Sequence, residues 1–176
     1  MSYRLEPVLC RATIEERIAE LGRELSFDYQ GKQPVLVCVL RGSVYFAVDL
    51  TRAITVPHLL DFISISSYSQ ETDPLGIVRI TKDLDTPIVG REVLIVEDIV
   101  DTGLSLHYLI RNLKTRSPAG LRVCTLLNIP ARRIANVPLD YQGFELPNIY
   151  AVGYGLDYHE NYRNLRDIFS LVKEEI

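Results

Sequence analysis

Two uninterrupted apolar runs, Val35–Leu40 and Val93–Val96, constrain this chain more than any other feature. Each has the length of a strand, and neither alternates with polar residues. Such a run is buried on both faces, as in a parallel sheet covered by helices on either side. Leu121–Leu127 reads as a third strand of this kind. Helical stretches follow the first two, from Tyr45 to about Ile54 and from Leu104 to Lys114. Strands alternating with helices predict an open α/β fold with a central, mainly parallel sheet. In such sheets ligands bind at the carboxyl ends of the strands. The loops after Leu40, Val96 and Leu127 are therefore the places to look for chemistry.

The remaining elements are read around this frame. Thr13 and Glu16 form a T-x-x-E capping box that predicts the start of a first helix. Behind it Ile14, Ile18, Leu21 and Leu25 recur on one helical face. A strand is expected near Leu60–Ser66. The polar stretch 67–76 reads as a mobile loop, and Gly76–Asp83 as the hairpin partner of that strand. Later strands are expected around Gly143–Glu145 and Tyr150–Val152. With no linker, repeat or low-complexity tract, residues 1–176 read as one domain.

Composition narrows the function classes. The 176 residues carry a net charge of −4 with a pI of about 5.4, which argues against a general nucleic-acid coat. Cys10, Cys38 and Cys124 are odd in number and far apart, a poor fit to a disulfide framework or a zinc site. The start of the chain lacks the apolar stretch of a signal peptide, and no run is long enough to span a bilayer. The expected compartment is the cytoplasm. The three histidines do not sit at metal-ligand spacing.

The chemistry concentrates in one segment, Val93-Leu94-Ile95-Val96-Glu97-Asp98-Ile99-Val100-Asp101-Thr102-Gly103-Leu104-Ser105. Two adjacent carboxylates stand where the buried strand is expected to end. Like charges side by side in a partly desolvated place need hydroxyl donors, cations or water. A sugar diol supplies donors, and magnesium can bind nearby. Next, Gly103 permits a tight turn. Backbone amides, the Thr102 and Ser105 hydroxyls and a helix N-terminus together suit a phosphate. Either half alone also reads as solvated acids or as a turn with a cap. The two in one segment outline a site for ribose 5-phosphate.

This segment resembles the phosphoribosyl-pyrophosphate signature of the type I phosphoribosyltransferases. Aspartate at position 101 is typical of the members acting on 6-oxopurines, and the chain from about Val35 to Arg163 resembles the hypoxanthine phosphoribosyltransferases. The resemblance implies that fold, with a small hood to which residues from about 145 to 176 contribute, and a flexible lid. It also implies magnesium, with phosphoribosyl pyrophosphate and a purine base as partners, no nucleic acid or membrane, and a homodimer or homotetramer. By it Glu97 and Asp98 hold the ribose hydroxyls. Asp101, Thr102, Gly103, Leu104 and Ser105 anchor the 5′-phosphate, with Asp101 also managing the proton on purine N7. Val39-Leu40-Arg41-Gly42-Ser43 resembles the pyrophosphate loop, with a non-proline cis peptide at Leu40–Arg41. Leu40, Arg41, Gly42 and Arg163 would meet pyrophosphate. Ser66-Ser67-Tyr68 resembles the start of the lid. Gly143-Phe144-Glu145-Leu146-Pro147 and Val152–Tyr158 resemble the C-terminal motifs. There Tyr150 would stack on the base, Ala151 would meet its edge, and Asp157, beside the base, would hold magnesium together with Glu97 and Asp98. On the residues alone, Tyr150 reads equally as a core aromatic, and Asp157 and Arg163 as solvated charges.

One position departs from the family. A lysine that donates to the purine O6 is expected after the third strand, and Ile129 stands there. Arg132 or Arg133 could reach in, water could substitute, or the base preference could differ toward xanthine or a broad range. A regulatory RNA-binding protein on the same fold is the alternative from another class, and the acidic pI counts against it.

Overall fold

The computed structural model describes residues 3–67 and 78–174. The expected lid residue Tyr68 and most of the stretch 67–76 lie outside the described residues. Ser67 ends a strand.

Six strands form the main sheet: β2 (Val35–Leu40), β3 (Leu59–Ser67), β4 (Val78–Lys82), β5 (Glu92–Val100), β6 (Gly120–Asn128) and β7 (Tyr141–Glu145). Their order is β4-β3-β2-β5-β6-β7. All pairings are parallel except β3 with β4, the hairpin anticipated from the alternation before Asp83. Successive residues of the apolar runs point to opposite faces, and both faces are covered. Leu36, Cys38, Leu94 and Val96 pack against α1 (Arg11–Asp28) and α2 (Val44–Ala53). Val35, Val37, Val93 and Ile95 pack against α3 (Leu104–Lys114). Each of these eight strand residues is fully buried. At about 1.5–3 kcal/mol per buried aliphatic side chain, the two central strands anchor the molecule.

β2 and β5 lie side by side, while the helices that follow them sit on opposite faces. The chain therefore diverges at the carboxyl ends of these two strands and leaves a crevice there.

A second, three-stranded sheet joins β1 (Tyr3–Leu9), β9 (Ile168–Lys173) and β8 (Ala151–Val152) in the order β1-β9-β8, with antiparallel pairing. It forms the expected hood. Two side chains tie it to the helices: the Tyr154 hydroxyl donates to Asp49 Oδ2 at 2.6 Å, and Asp167 Oδ1 accepts from the Arg11 amide at 2.6 Å.

Two expectations need correction. The first helix starts at Arg11, with Cys10 at the N-cap, so Thr13 lies inside the first turn and makes no capping box. Its hydroxyl instead meets the Cys10 thiol at 3.2 Å. A free amide of this turn is satisfied by Asp167, 156 residues away, which removes the need for a local cap. The acidic pair, for its part, does not follow β5 but lies within it, because the strand continues to Val100. β5 keeps its ladder with β6 through Val100↔Asn128. Strand pairing thus holds the two carboxylates in place.

Candidate active site

The parallel pairing of β2 with β5 sets the loop Arg41-Gly42-Ser43 beside Glu97 and Asp98. Ser43 stands at the N-cap of α2, yet its hydroxyl makes no cap. It turns to β5, donating to Glu97 Oε2 at 3.1 Å and accepting from the Asp98 amide at 3.0 Å. Ser43 is 1% exposed, so this bridge is sealed from water. Gly42 packs so tightly that a Cβ there would lie 1.8 Å from Asp98 Oδ2 and 3.1 Å from the Gly155 carbonyl oxygen. A side chain at this position would force the acid or the loop to shift. The peptide Leu40–Arg41 is cis, as the resemblance implied.

Burial pushes the Glu97 carboxyl well above the usual carboxylate range, and the neighbouring Asp98 adds to the shift. Asp98 is raised too, chiefly by burial, against the pull of its backbone hydrogen bonds. A pair so placed gains from any hydroxyl donor or cation that enters.

Asp101 follows β5 and accepts from the Thr102 amide at 2.5 Å. Gly103 is the N-cap of α3 with φ +76°, and a Cβ there would lie 2.6 Å from the Ala135 carbonyl oxygen. The first intrahelical bond runs from His107 N to Gly103 O, which leaves the amides of Leu104, Ser105 and Leu106 outside the helical ladder. Beneath them Thr102 O accepts from both Ile134 N and Ala135 N at 2.9 Å. These bonds tie the loop down; the Leu104 amide meets the Thr102 hydroxyl oxygen at 3.4 Å, and the first turn of α3 suits an anion.

These pieces surround one open cavity of about 370 Å³. It is lined by Leu40, Arg41, Gly42, Glu97, Asp98, Asp101, Ser105, Tyr150, Ala151, Asp157 and Arg163 from the expected set, together with Arg132 and Ile149. Thr102 and Gly103 line a small recess that shares Glu97, Asp101 and Ser105 with it. Leu104 lines neither and is 48% exposed. Ile129 is fully buried in the core beside α1 and α2 and does not reach the cavity.

Arg163 donates to the Gly155 carbonyl oxygen at 2.8 Å and pairs with Asp157 at 2.9 Å and Glu160 at 3.2 Å. Arg41 pairs with the same Glu160 at 3.1 Å. The Tyr150 ring is 45% exposed, its hydroxyl donates to the Asp157 carbonyl oxygen at 3.3 Å, and the Tyr158 ring meets it edge-on at 5.5 Å. Tyr158 is bonded in turn to the Tyr3 hydroxyl at 2.8 Å. Sequence reasoning placed Ser43 and Tyr158 in motifs but gave them no role: it missed the Ser43 bridge to β5 and the packing of Tyr158 on Tyr150. A serine preceding a helix reads as a cap, and nothing local reveals that its hydroxyl turns away.

The carboxylates of Asp157, Glu97 and Asp98 suit a hard cation, although among the described residues no three acidic, histidine or cysteine side chains form a ready-made cluster. That donor set fits magnesium, which is commonly held by one or two carboxylates together with water and substrate phosphates.

A family model, the phosphoribosyl transferase domain, matches residues 11–159. The chain is 51% identical to the hypoxanthine-guanine phosphoribosyltransferase of Mycobacterium avium, over 93% of this chain and 84% of that protein. It is 45% identical to the hypoxanthine phosphoribosyltransferase of Salmonella typhimurium over 94% of each. The fold matches the crystal structure of a hypoxanthine-guanine phosphoribosyltransferase from Bacillus anthracis with a TM-score of 0.90 at 38% identity, covering 97% of this chain and all of that one. The chain belongs to the phosphoribosyltransferase family, among its hypoxanthine-type members.

Proposed function

We propose that this enzyme acts in purine salvage and moves the 5-phosphoribosyl group of phosphoribosyl pyrophosphate onto hypoxanthine and guanine. IMP or GMP and pyrophosphate are the products. The observation that carries this reading is one uninterrupted segment, Glu97 to Ser105, with an acidic pair fixed within β5 at one end and a helix N-terminus at the other. The cavity it lines also takes in Tyr150 and Ala151, where a base would sit.

In this reading the amides of residues 103–105 and the Ser105 hydroxyl grip the 5′-phosphate, while Glu97 and Asp98 accept from the ribose hydroxyls. The bond from C1 to the pyrophosphate oxygen breaks with its electron pair leaving on oxygen, and the ring passes through an oxocarbenium-like state. The buried acids favour that positive charge. Arg41 and Arg163 exchange their contacts with Glu160 for the leaving group. The purine N9 bonds to C1, and the Asp101 carboxylate takes the proton that N7 releases. Asp157, with Glu97 and Asp98 close by, would hold magnesium, which would supply positive charge to offset that of the pyrophosphate. The expected homodimer or homotetramer and the cytoplasmic setting belong to the same proposal. Among the described residues no helix is long and apolar enough to cross a membrane.

The test is pyrophosphate release from phosphoribosyl pyrophosphate with magnesium, run in parallel with hypoxanthine, guanine, xanthine and adenine. Release with hypoxanthine and guanine supports the reading. Release with adenine alone, or with no base, overturns it.

A further inference from the structure

Of the arginines that line the cavity, Arg132 is the one that pairs with no acid among the described residues. Three arginines line the cavity, Arg41, Arg132 and Arg163. Arg41 and Arg163 both pair with Glu160, and Arg163 also pairs with Asp157. Arg132 comes from the short 3-10 turn Pro130–Arg132 that follows β6. Its Nε donates to Asn148 Oδ1 at 2.6 Å. Asn148 precedes Ile149, Tyr150 and Ala151, the cavity-lining stretch at which the hood begins. This one hydrogen bond fixes the guanidinium at the seam where the two base-side segments meet, and Nε is the nitrogen it engages.

The neighbouring side chains offer no such donor. Ile129 is sealed in the core. Arg133 turns back into the structure, where it donates to the Val100 carbonyl oxygen at 3.2 Å and to Asn128 Oδ1. Its stem packs under Gly103, beside the phosphate loop rather than the base. Of the two arginines that follow β6, only Arg132 lines the cavity.

We infer that Arg132, positioned by Asn148, reads the carbonyl edge of the purine and sets the preference for 6-oxopurines. A guanidinium carries donors and no acceptor. An exocyclic carbonyl facing it gains a charge-assisted hydrogen bond. An exocyclic amine in the same place sets donor against donor, and buried unpaired groups give strong discrimination. Arg132 is thereby a specificity-determining residue, and Asn148 a positioning residue that acts through it. The inference rests on the proposed purine reaction and assigns its base selectivity to a side chain outside the Glu97–Ser105 segment.

The experiment measures binding of IMP, AMP and ribose 5-phosphate by calorimetry to the wild type and to Arg132→Leu, Arg132→Lys and Asn148→Ala. Arg132→Leu is expected to weaken IMP by about 10- to 100-fold, the value of one hydrogen bond to a charged donor. AMP and ribose 5-phosphate should stay within about twofold on the same scale. Arg132→Lys keeps the charge and should lose less. Asn148→Ala should weaken IMP in the same direction and add little when combined with Arg132→Leu, as coupled groups do. Equal weakening of all three ligands, or unchanged IMP binding in Arg132→Leu, overturns the inference and leaves the proposed reaction standing. A wild type that binds IMP no better than ribose 5-phosphate overturns the proposed reaction, and the inference with it.

Discussion

The two ends of the cavity are built in different ways. The phosphoribosyl end hangs on β2 and β5, whose apolar residues are fully buried, and its acids lie within a paired strand. Ser43 holds it by a buried hydrogen bond, and Gly42 and Gly103 by close approaches that leave little room for a side chain. The base end is assembled from the turn after β6 and the segment before β8, and half-exposed side chains join them: Arg132 with Asn148, Tyr150 with Tyr158. A site built into a core tolerates little change. A site built from surface side chains can be retuned one residue at a time. The comparison predicts that changes at the first end abolish turnover, while changes at the second alter which base is used.

Asp101→Asn should have the largest effect, a fall in turnover of about 10²- to 10⁴-fold with nucleotide binding retained. Steady-state turnover beside a binding isotherm checks it, and unchanged turnover removes the proton-transfer role. Gly42→Ala comes next. Its methyl group cannot coexist with Asp98 Oδ2 at 1.8 Å, so loop or acid must shift. A misplacement of that order costs about 10²-fold in rate. Full activity in this variant would mean that the loop need not close on the acid.

Ser43→Ala removes the bridge between loop and strand and is expected to lower kcat by about tenfold, in line with a buried hydrogen bond of about 1–1.5 kcal/mol. Thr at position 43 keeps the hydroxyl and should recover part of the loss. Tyr150→Ala should raise KM for the base by about tenfold, the lower range of a lost stacking contact, and leave KM for phosphoribosyl pyrophosphate nearly unchanged. If both constants moved together, the two ends would not be separable.

The smallest effect concerns pH. Glu97 and Asp98 have carboxyls raised above their unfolded values, chiefly by burial. The folded protein therefore keeps protons that the unfolded chain has already lost. Stability of the ligand-free protein should fall as pH rises from the ordinary carboxylate range toward the raised folded values. Thermal melts of wild type and Asp98→Asn across pH 4 to 7 test this on a scale set by the carboxylate reference values. The variant should show the shallower slope, and a steeper one would contradict the assignment.

The same contrast explains what the sequence made legible. β2, β5 and α3 were readable because their burial is local and periodic, and the phosphoribosyl site was readable because it is contiguous. β1 was not. Its residues are mostly exposed, Pro7 lies within it, and its partner β9 stands some 160 residues away. A strand of that kind leaves no apolar pattern to find. Ser43 was hidden by its position, where a cap is the ordinary reading. Resemblance placed Ile129 near the base, but its side chain is enclosed by the core. Which of Arg132 and Arg133 faces the cavity depends on the turn after β6, and two adjacent arginines look alike in a sequence.

The most direct test is a crystal structure with bound IMP. The account predicts the 5′-phosphate on the amides of residues 103–105, the ribose hydroxyls on Glu97 and Asp98, and the hypoxanthine ring against Tyr150 with its carbonyl toward Arg132. A nucleotide that lies with its phosphate away from the start of α3, or with its base outside the Tyr150–Arg132 end, would contradict it.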